Sequence, residues 1–214
     1  MIKKPRVMLA DDHRIVSEGL KSLLTEEFEL VSVVEDGRAM IEAAKRLSPD
    51  VIISDITMPG LNGIDALVHL KKENPHVRVV FLSMHHDVAF ARRALEAGAL
   101  GYVLKHSAAA ELVMAIRAAL DGRTFITPAL AGEVLQSIRF EPGAAADPVG
   151  RLTPRQREIL QLFAEGSSAK EVASSLGISP RTVEFHKYQM MESLHIENSA
   201  ELVHFAIKHG MVSV

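Results

Sequence analysis

The sequence contains no cysteine among its 214 residues. That absence removes disulfide bridges, thiolate nucleophiles and sulfur-rich metal sites together. No apolar run approaches the roughly 18 residues that a membrane span needs. The start, Met1-Ile2-Lys3-Lys4-Pro5-Arg6, carries charge but no apolar segment of signal-peptide length, so a cytoplasmic protein without a membrane partner is expected. A surplus of one charge sign is missing as well. Lys plus Arg number 24 against 27 Asp plus Glu, a net charge of -3, which by itself points neither to a polyanion partner nor to an acidic substrate. The balance holds within segments: 16 basic against 17 acidic over 1–127, 1 against 3 over 128–150, and 7 against 7 over 151–214. No segment is basic overall.

What is present is an ordinary globular composition, 48% hydrophobic and 24% charged, in a chain long enough for two domains. The first part alternates short β-branched runs with amphipathic segments: RVMLA (6–10), ELVSVV (29–34), VIIS (51–54), VRVVFL (77–82) and GYVL (101–104). Near-continuous apolar strands joined by crossover helices predict a parallel five-stranded α/β sheet covered on both faces, ending after a helix over 107–121. A connecting helix follows at about 128–139. The Pro-, Gly- and Ala-rich stretch 140–150 then reads as a linker. The domains expected are 1–124, a connection over 125–150, and 151–214.

The last part changes rhythm, because every start signal is for a helix. Thr153-Pro154-Arg155-Gln156 offers an N-cap, a first-turn proline and a capping-box partner, and Ser168-Ala169-Lys170-Glu171 repeats the box. That second helix stops at Gly177, Ser179-Pro180 starts a third that runs to about Leu194, and a fourth begins near Asn198. The tight turn Leu176-Gly177-Ile178-Ser179 makes a helix-turn-helix within an all-α four-helix domain.

Three acids occupy strand ends: Asp11 and Asp12 after the first strand and Asp55 after the third. In a parallel sheet all strand C-termini reach one edge, where ligands sit. Carboxylates converging there repel one another unless a hard, oxygen-liganded cation such as Mg²⁺ compensates. Ser83 and Lys105 end the fourth and fifth strands and add a hydroxyl and an ammonium, the partners a phosphoryl group requires.

Asp11-Asp12, Asp55 with Met58-Pro59-Gly60 and Gly63, Ser83 and Lys105 together resemble the receiver domain of two-component response regulators over residues 6–121. The resemblance implies a flavodoxin-like sheet of order 2-1-3-4-5. It implies that Asp55 accepts a phosphoryl group from a phosphohistidine of a sensor histidine kinase. It further implies that Asp11, Asp12, Asp55 and the backbone carbonyl of Thr57 surround Mg²⁺, with Ser83 and Lys105 on the phosphoryl oxygens and Tyr102 as a switching aromatic. One departure is His106, where many receivers carry proline after the lysine. His13, His85, His86 and His106 fall near the proposed site but read as surface or turn residues. A haloacid-dehalogenase phosphatase motif needs a second Asp that Ile56-Thr57 does not supply.

On the third helix of the last domain, Val183, Met190 and Leu194, with His186 at the margin, form the stripe expected to be buried. The opposite face carries Arg181, Glu184, Phe185 and Tyr188, together with Thr182 and Lys187. These are candidates for the major groove: Arg181 for guanine or phosphate, Glu184 for cytosine, Phe185 for a thymine methyl. Arg151, Arg155, Lys170 and Lys187 are candidates for phosphates. Leu152-Thr153-Pro154-Arg155, Gly166, Lys170-Glu171-Val172-Ala173, Leu176-Gly177-Ile178-Ser179 and Thr182-Val183-Glu184-Phe185-His186 resemble the LuxR-type helix-turn-helix over 152–209. Gln156 and Glu184 stand where that pattern usually has glutamate and often has lysine. With the receiver, the whole resembles the NarL/FixJ family of response regulators. That resemblance implies a transcription regulator acting on double-stranded DNA, a homodimer when phosphorylated, with no enzymatic activity beyond gain and loss of its own phosphoryl group. Three alternatives stand beside it: a phosphorylation-independent DNA- or protein-binding regulator of the same architecture, a metal-dependent hydrolase of small phosphates, and, for the helical part, an interaction or dimerisation domain.

Overall fold

The computed structural model describes residues 3–84, 86, 88–107, 109–140 and 148–212. His85 and residues 141–147 of the expected linker lie outside the described residues. Two compact units emerge, one holding nearly all of residues 1–143 and the other residues 144–214.

The first unit contains strands β1 (Arg6–Ala10), β2 (Glu29–Val34), β3 (Val51–Asp55), β4 (Val79–Ser83), β5 (Gly101–Leu104) and β6 (Phe125–Ile126). Its helices are α1 (Arg14–Glu27), α2 (Gly37–Leu47), α3 (Gly63–Glu73), α4 (Val88–Glu96), α5 (Ala109–Leu120) and α6 (Pro128–Phe140). All pairings are parallel, in the order β2-β1-β3-β4-β5-β6. The expected order 2-1-3-4-5 is therefore present, and the strand count is corrected from five to six. The extra strand has only two residues, too few to show a periodicity. It exists because Phe125 N–H donates to Leu100 O and Thr127 N–H to Tyr102 O (2.9 and 3.0 Å), which satisfies backbone that β5 would otherwise leave bare. β5 is thus an interior strand. The connecting helix is observed as α6, anchored by fully buried Leu130 and Val134 and packed on α4.

Alternation along the strands divides the core. Val7, Leu9, Val51, Ile53, Val80, Leu82 and Val103 pack with Leu24 and Phe28 of the α1 side and with Leu112, Ala115, Ile116 and Ala119 of α5. The intervening Met8, Ile52, Phe81 and Tyr102, all fully buried, face the opposite side. β3, β4 and β5 are buried along their whole length, as strands covered on both faces must be.

The second unit holds a 3₁₀ turn at Pro148–Arg151 and helices α7 (Pro154–Ala164), α8 (Ala169–Leu176), α9 (Pro180–Leu194) and α10 (Ser199–Lys208). The 3₁₀ turn corrects the expectation that the linker runs to residue 150, since Val149 is fully buried in this unit's core. Both capping boxes form: Thr153 Oγ1 accepts from Gln156 N–H while Gln156 Oε1 accepts from Thr153 N–H, and Ser168 and Glu171 do the same. Glutamine serves as well as glutamate here because the box needs only an acceptor oxygen. Val183 and Met190 are fully buried and Leu194 is partly buried, as the stripe predicts.

Candidate functional site

The register of the sheet assembles the acidic site. Ala10 pairs with Ser54, and Asp55 with Leu82, so the residues following β1, ending β3 and ending β4 reach the same edge. Ser83 pairs with Leu104, and Lys105 N–H donates to Ser83 O at 2.8 Å. Five residues separated by up to 94 sequence positions thus reach the ends of four neighbouring strands.

Asp11 and Asp55 are almost fully buried, and Asp12 is partly exposed. Asp55 Oδ1 accepts from Ile56 N–H at 2.6 Å and Thr57 N–H at 3.3 Å, which fixes the carboxylate on the turn that follows β3. Asp55 Oδ2 pairs with Lys105 Nζ at 2.5 Å, and the same ammonium lies 2.8 Å from Asp11 Oδ2. Burial pushes the Asp55 carboxyl above its ordinary value; Lys105 opposes that rise and Asp11 adds to it. For Lys105 burial disfavours the charge, but Asp55 and Asp11 outweigh it and hold the ammonium above its usual range. Ser83 is fully buried, and Thr57 is nearly so.

Asp11, Asp12 and Asp55 converge as their positions at the strand ends predict. With His13 they place one potential ligand atom each within 4.8 Å of one another. The three carboxylates are a donor set that fits a hard divalent cation. His13 is an exposed residue at the turn before α1, as expected, and it borders the pocket. It sits at the N-cap of α1 with its ring turned into the pocket, Nδ1 2.9 Å from Asp12 Oδ1 and 3.3 Å from Asp11 Oδ1. The signal available was its adjacency to Asp11-Asp12, since the chain turns there and Asp11 Oδ1 accepts from His13 N–H at 2.8 Å. His86 and His106 are exposed, and the Lys105–His106 bond is trans. Tyr102, on the now-interior β5, is fully buried.

Gly63 completes the site from behind. Its N–H donates to Ile56 O at 2.8 Å, and a Cβ there would lie 2.2 Å from Asp55 O. Only glycine lets α3 start against the strand that carries Asp55.

In the second unit, α8 closes on Gly177, whose left-handed backbone (φ 63°, ψ 36°) lets its N–H reach Ala173 O and Ser174 O. Ile178 N–H also reaches Ala173 O, and Ser179 Oγ caps α9 by accepting from Thr182 N–H at 3.1 Å. The helix so aimed leaves Arg181, Phe185 and Tyr188 exposed, the last two at 58% and 65%. Two candidates are engaged within the unit. Lys187 pairs with Glu184 at 2.8 Å and lies over the rings of Phe163 and Tyr188. Arg155 donates to Leu176 O at 2.8 Å and to Glu158 at 2.9 Å, tying α7 to the end of α8. Arg151 and Lys170 are exposed.

Residues 7–117 match the response regulator receiver domain, and residues 150–206 match the bacterial regulatory proteins of the luxR family. The transcriptional regulatory protein MctR of Rhizobium johnstonii is 37% identical over 212 residues, covering 98% of this chain and 96% of its own length. Response regulator UvrY of Escherichia coli is 30% identical over 208 residues, covering 96% and 94%. Among solved structures, RcsB of Salmonella enterica serovar Typhimurium, bound to promoter P1flhDC in the presence of the phosphomimetic BeF₃⁻, is 29% identical. Its TM-score is 0.66, over 95% of this chain and 98% of that one. Among the described residues no helix is long and apolar enough to cross a membrane. With a receiver fold, an acidic pocket at the strand ends and a LuxR-type helix-turn-helix in one chain, the protein belongs to the NarL/FixJ family of response regulators.

Proposed function

We propose that this chain is a DNA-binding transcription regulator whose activity is switched by Mg²⁺-dependent phosphorylation of Asp55. The observation that carries the reading is the convergence of Asp11, Asp12 and Asp55 with Lys105 between two of them, at 2.8 Å from Asp11 and 2.5 Å from Asp55. The phosphoryl donor is a phosphohistidine of a partner sensor kinase. An Asp55 carboxylate oxygen forms the new P–O bond as the P–N bond breaks, and the freed imidazole nitrogen keeps that electron pair and takes a proton from solvent. Asp11, Asp12, Asp55 and the Thr57 carbonyl hold Mg²⁺, which when bound offsets charge on the phosphoryl oxygens. Ser83 and Lys105 receive those oxygens by charge-assisted bonds.

A phosphoryl group adds about one to two negative charges beside Lys105. Ser83 and Lys105 are joined through backbone at 2.8 Å, so a pull on both shifts β4 and β5 together with α4 and α5. Tyr102, buried beside them, moves with that shift as the switching aromatic. Because α6 packs on α4, a movement of α4 is passed to the segment that leads to the DNA-binding unit. Moving such an equilibrium from 1:99 to 99:1 needs about 5.5 kcal/mol of differential interaction. Lys105, Ser83 and a new homodimer surface supply it together.

On DNA, α9 enters the major groove. Arg181, Thr182, Glu184, Phe185 and Tyr188 lie toward the base edges and Lys170 toward phosphates, while Lys187, paired with Glu184, must exchange that partner to reach one. Seven cations against seven acids in residues 151–214 are few for a polyanion, so dimerisation, which doubles the contacts, is what makes the affinity sufficient. Half-sites about 34 Å apart follow. The test is acetyl-phosphate-dependent labelling, abolished by Asp55→Asn, with a promoter footprint strengthened by BeF₃⁻. Absence of Asp55 labelling in the presence of Mg²⁺ refutes the reading.

A further inference from the structure

We infer that Lys187 does not exchange Glu184 for a phosphate but stays with it as a positioning residue, neutralising the carboxylate and fixing it so that Glu184 reads a cytosine in the major groove. The inference rests on the DNA-binding function proposed above. It goes beyond that reading in giving the Glu184–Lys187 pair one role, base discrimination, and in removing Lys187 from the phosphate contacts.

Lys187 has three neighbours drawn from two helices. Its Nζ stands 2.8 Å from Oε2 of Glu184, one turn earlier on α9, and 5.8 Å from the ring centroids of both Tyr188 and Phe163. Phe163 belongs to α7. Each ring is within the distance at which an aromatic face attracts an ammonium. The Lys187 side chain is 18% exposed, whereas that of Glu184 is 39% exposed. A lysine kept for phosphates shows the reverse order, because its stem ordinarily lies along the surface and its ammonium stands out in water. Moving to a phosphate would forfeit all three neighbours and reopen the rotamers of a long side chain that they restrict.

A carboxylate in the major groove needs such a partner. The groove is about 12 Å wide, so a charge inside it lies within about one Debye length, roughly 8 Å, of phosphates on both strands, and a bare carboxylate there is repelled. An ammonium 2.8 Å away offsets that repulsion locally. Oε2 stays with Lys187 while Oε1 accepts from the cytosine N4 amino group, the base-edge donor that glutamate matches. The ring of Phe163 ties the pair to a second helix, so the carboxylate is presented in a restricted orientation. An i, i+3 pair that only supported α9 would leave base preference untouched, and a phosphate-bound Lys187 would act on all sequences alike.

The experiment selects bound sequences from a randomised double-stranded DNA library with the full chain in the presence of BeF₃⁻. Affinities for the selected duplex and its single-base variants are then measured over a range of salt. The proteins are wild type, Glu184→Gln, Lys187→Met, Lys187→Arg and the double variant Glu184→Gln with Lys187→Met; methionine keeps a stem of similar length, so the charge is what is lost. Wild type is expected to prefer cytosine at one position of each half-site by at least about fivefold. Glu184→Gln and Lys187→Met each lose that preference and leave the other positions unchanged, while Lys187→Arg retains it. In the Glu184→Gln background, Lys187→Met changes affinity less than about threefold and leaves the salt slope in place. A loss in that background that is uniform across sequences, with the slope reduced by about one, makes Lys187 a phosphate contact and overturns the inference. Base preferences indifferent to Glu184 or to Lys187 overturn it as well, and in both cases the regulator reading stands. If wild type binds no DNA with or without BeF₃⁻, the proposed function fails and this inference with it.

Discussion

Replacing Gly63 by alanine puts one methyl group where the structure leaves no room, and the consequence can be worked from distances. The new Cβ would lie 2.2 Å from Asp55 O, 2.8 Å from Ser54 Oγ and 2.9 Å from Phe81 Cε1. The first neighbour is backbone at the end of a fully buried strand, so α3 and β3 must separate by more than an ångström before contact becomes ordinary. Overpacking of this kind costs about 1–3 kcal/mol, and the retreat also weakens the bond from Gly63 N–H to Ile56 O, worth about 1 kcal/mol. Alanine returns about 1 kcal/mol through helix propensity. The net expectation is a loss of about 1–3 kcal/mol and, at roughly 2–4 °C per kcal/mol in a chain of this size, a fall in Tm of about 2–12 °C. Asp55 rides on the displaced strand end, so labelling by acetyl phosphate falls in the same variant. Gly19→Ala is the matched control: Gly19 is exposed within α1 and its Cβ would meet nothing within 4 Å, so the same substitution there stabilises by about 0.5–1 kcal/mol. The chain has no tryptophan, so urea unfolding is followed by circular dichroism. A Gly63→Ala protein as stable as wild type, or stabilised as Gly19→Ala is, would refute the close-approach argument.

Other outcomes follow from the same geometry. Lys105→Met removes the ammonium between Asp11 and Asp55 and leaves two buried carboxylates facing each other. It should destabilise the metal-free chain by about 3 kcal/mol, with part of the loss restored by millimolar Mg²⁺ in a thermal melt. Arg155→Ala should lower stability by about 1–2 kcal/mol through the lost bonds to Leu176 O and Glu158, with the salt slope of DNA binding unchanged; Arg181→Ala, which loses an exposed cation, should instead reduce that slope by about one. Glu171 has its carboxyl held below the ordinary value by hydrogen bonds from Ser168, so its contribution to stability is present above about pH 4.5 and is lost as pH falls through the lower folded value. Glu171→Gln should flatten the acid limb of a Tm–pH profile, and an unchanged limb would count against the cap as a source of acid sensitivity.

The order of elements was readable because both periodicities were strong. Buried strands such as VIISD and VVFLS lie between helices whose caps are written in the sequence, from Asp36 before α2 to Asn198 before α10. β6 was not readable, because two residues carry no period and their strand character comes from the edge of β5 they complete. The beginning of the second unit was misjudged for a related reason. Pro148, Val149 and Gly150 have linker composition, yet Val149 is buried once α7 and α10 supply a surface for it.

The candidate site divides along the same line. Asp11, Asp12, Asp55, Ser83 and Lys105 were legible because each follows a recognisable strand, and the topology of a parallel sheet then dictates that they meet. His13 and Lys187 are different, since hydrophobic pattern encodes which positions are buried and says nothing of where a half-exposed polar side chain turns. Composition gives seven cations against seven acids in residues 151–214, but only coordinates show Lys187 already paired with Glu184 and Arg155 already spent on Leu176. The cations open to phosphates are therefore fewer than the count suggests, and on the function proposed above the electrostatic affinity falls to exposed residues such as Arg151, Lys170, Arg181 and Lys208. On the function proposed above, a unit so sparsely charged should bind DNA weakly as a single copy. A switch that governs pairing of two copies would then govern occupancy of the promoter, without any change in the face that reads the bases.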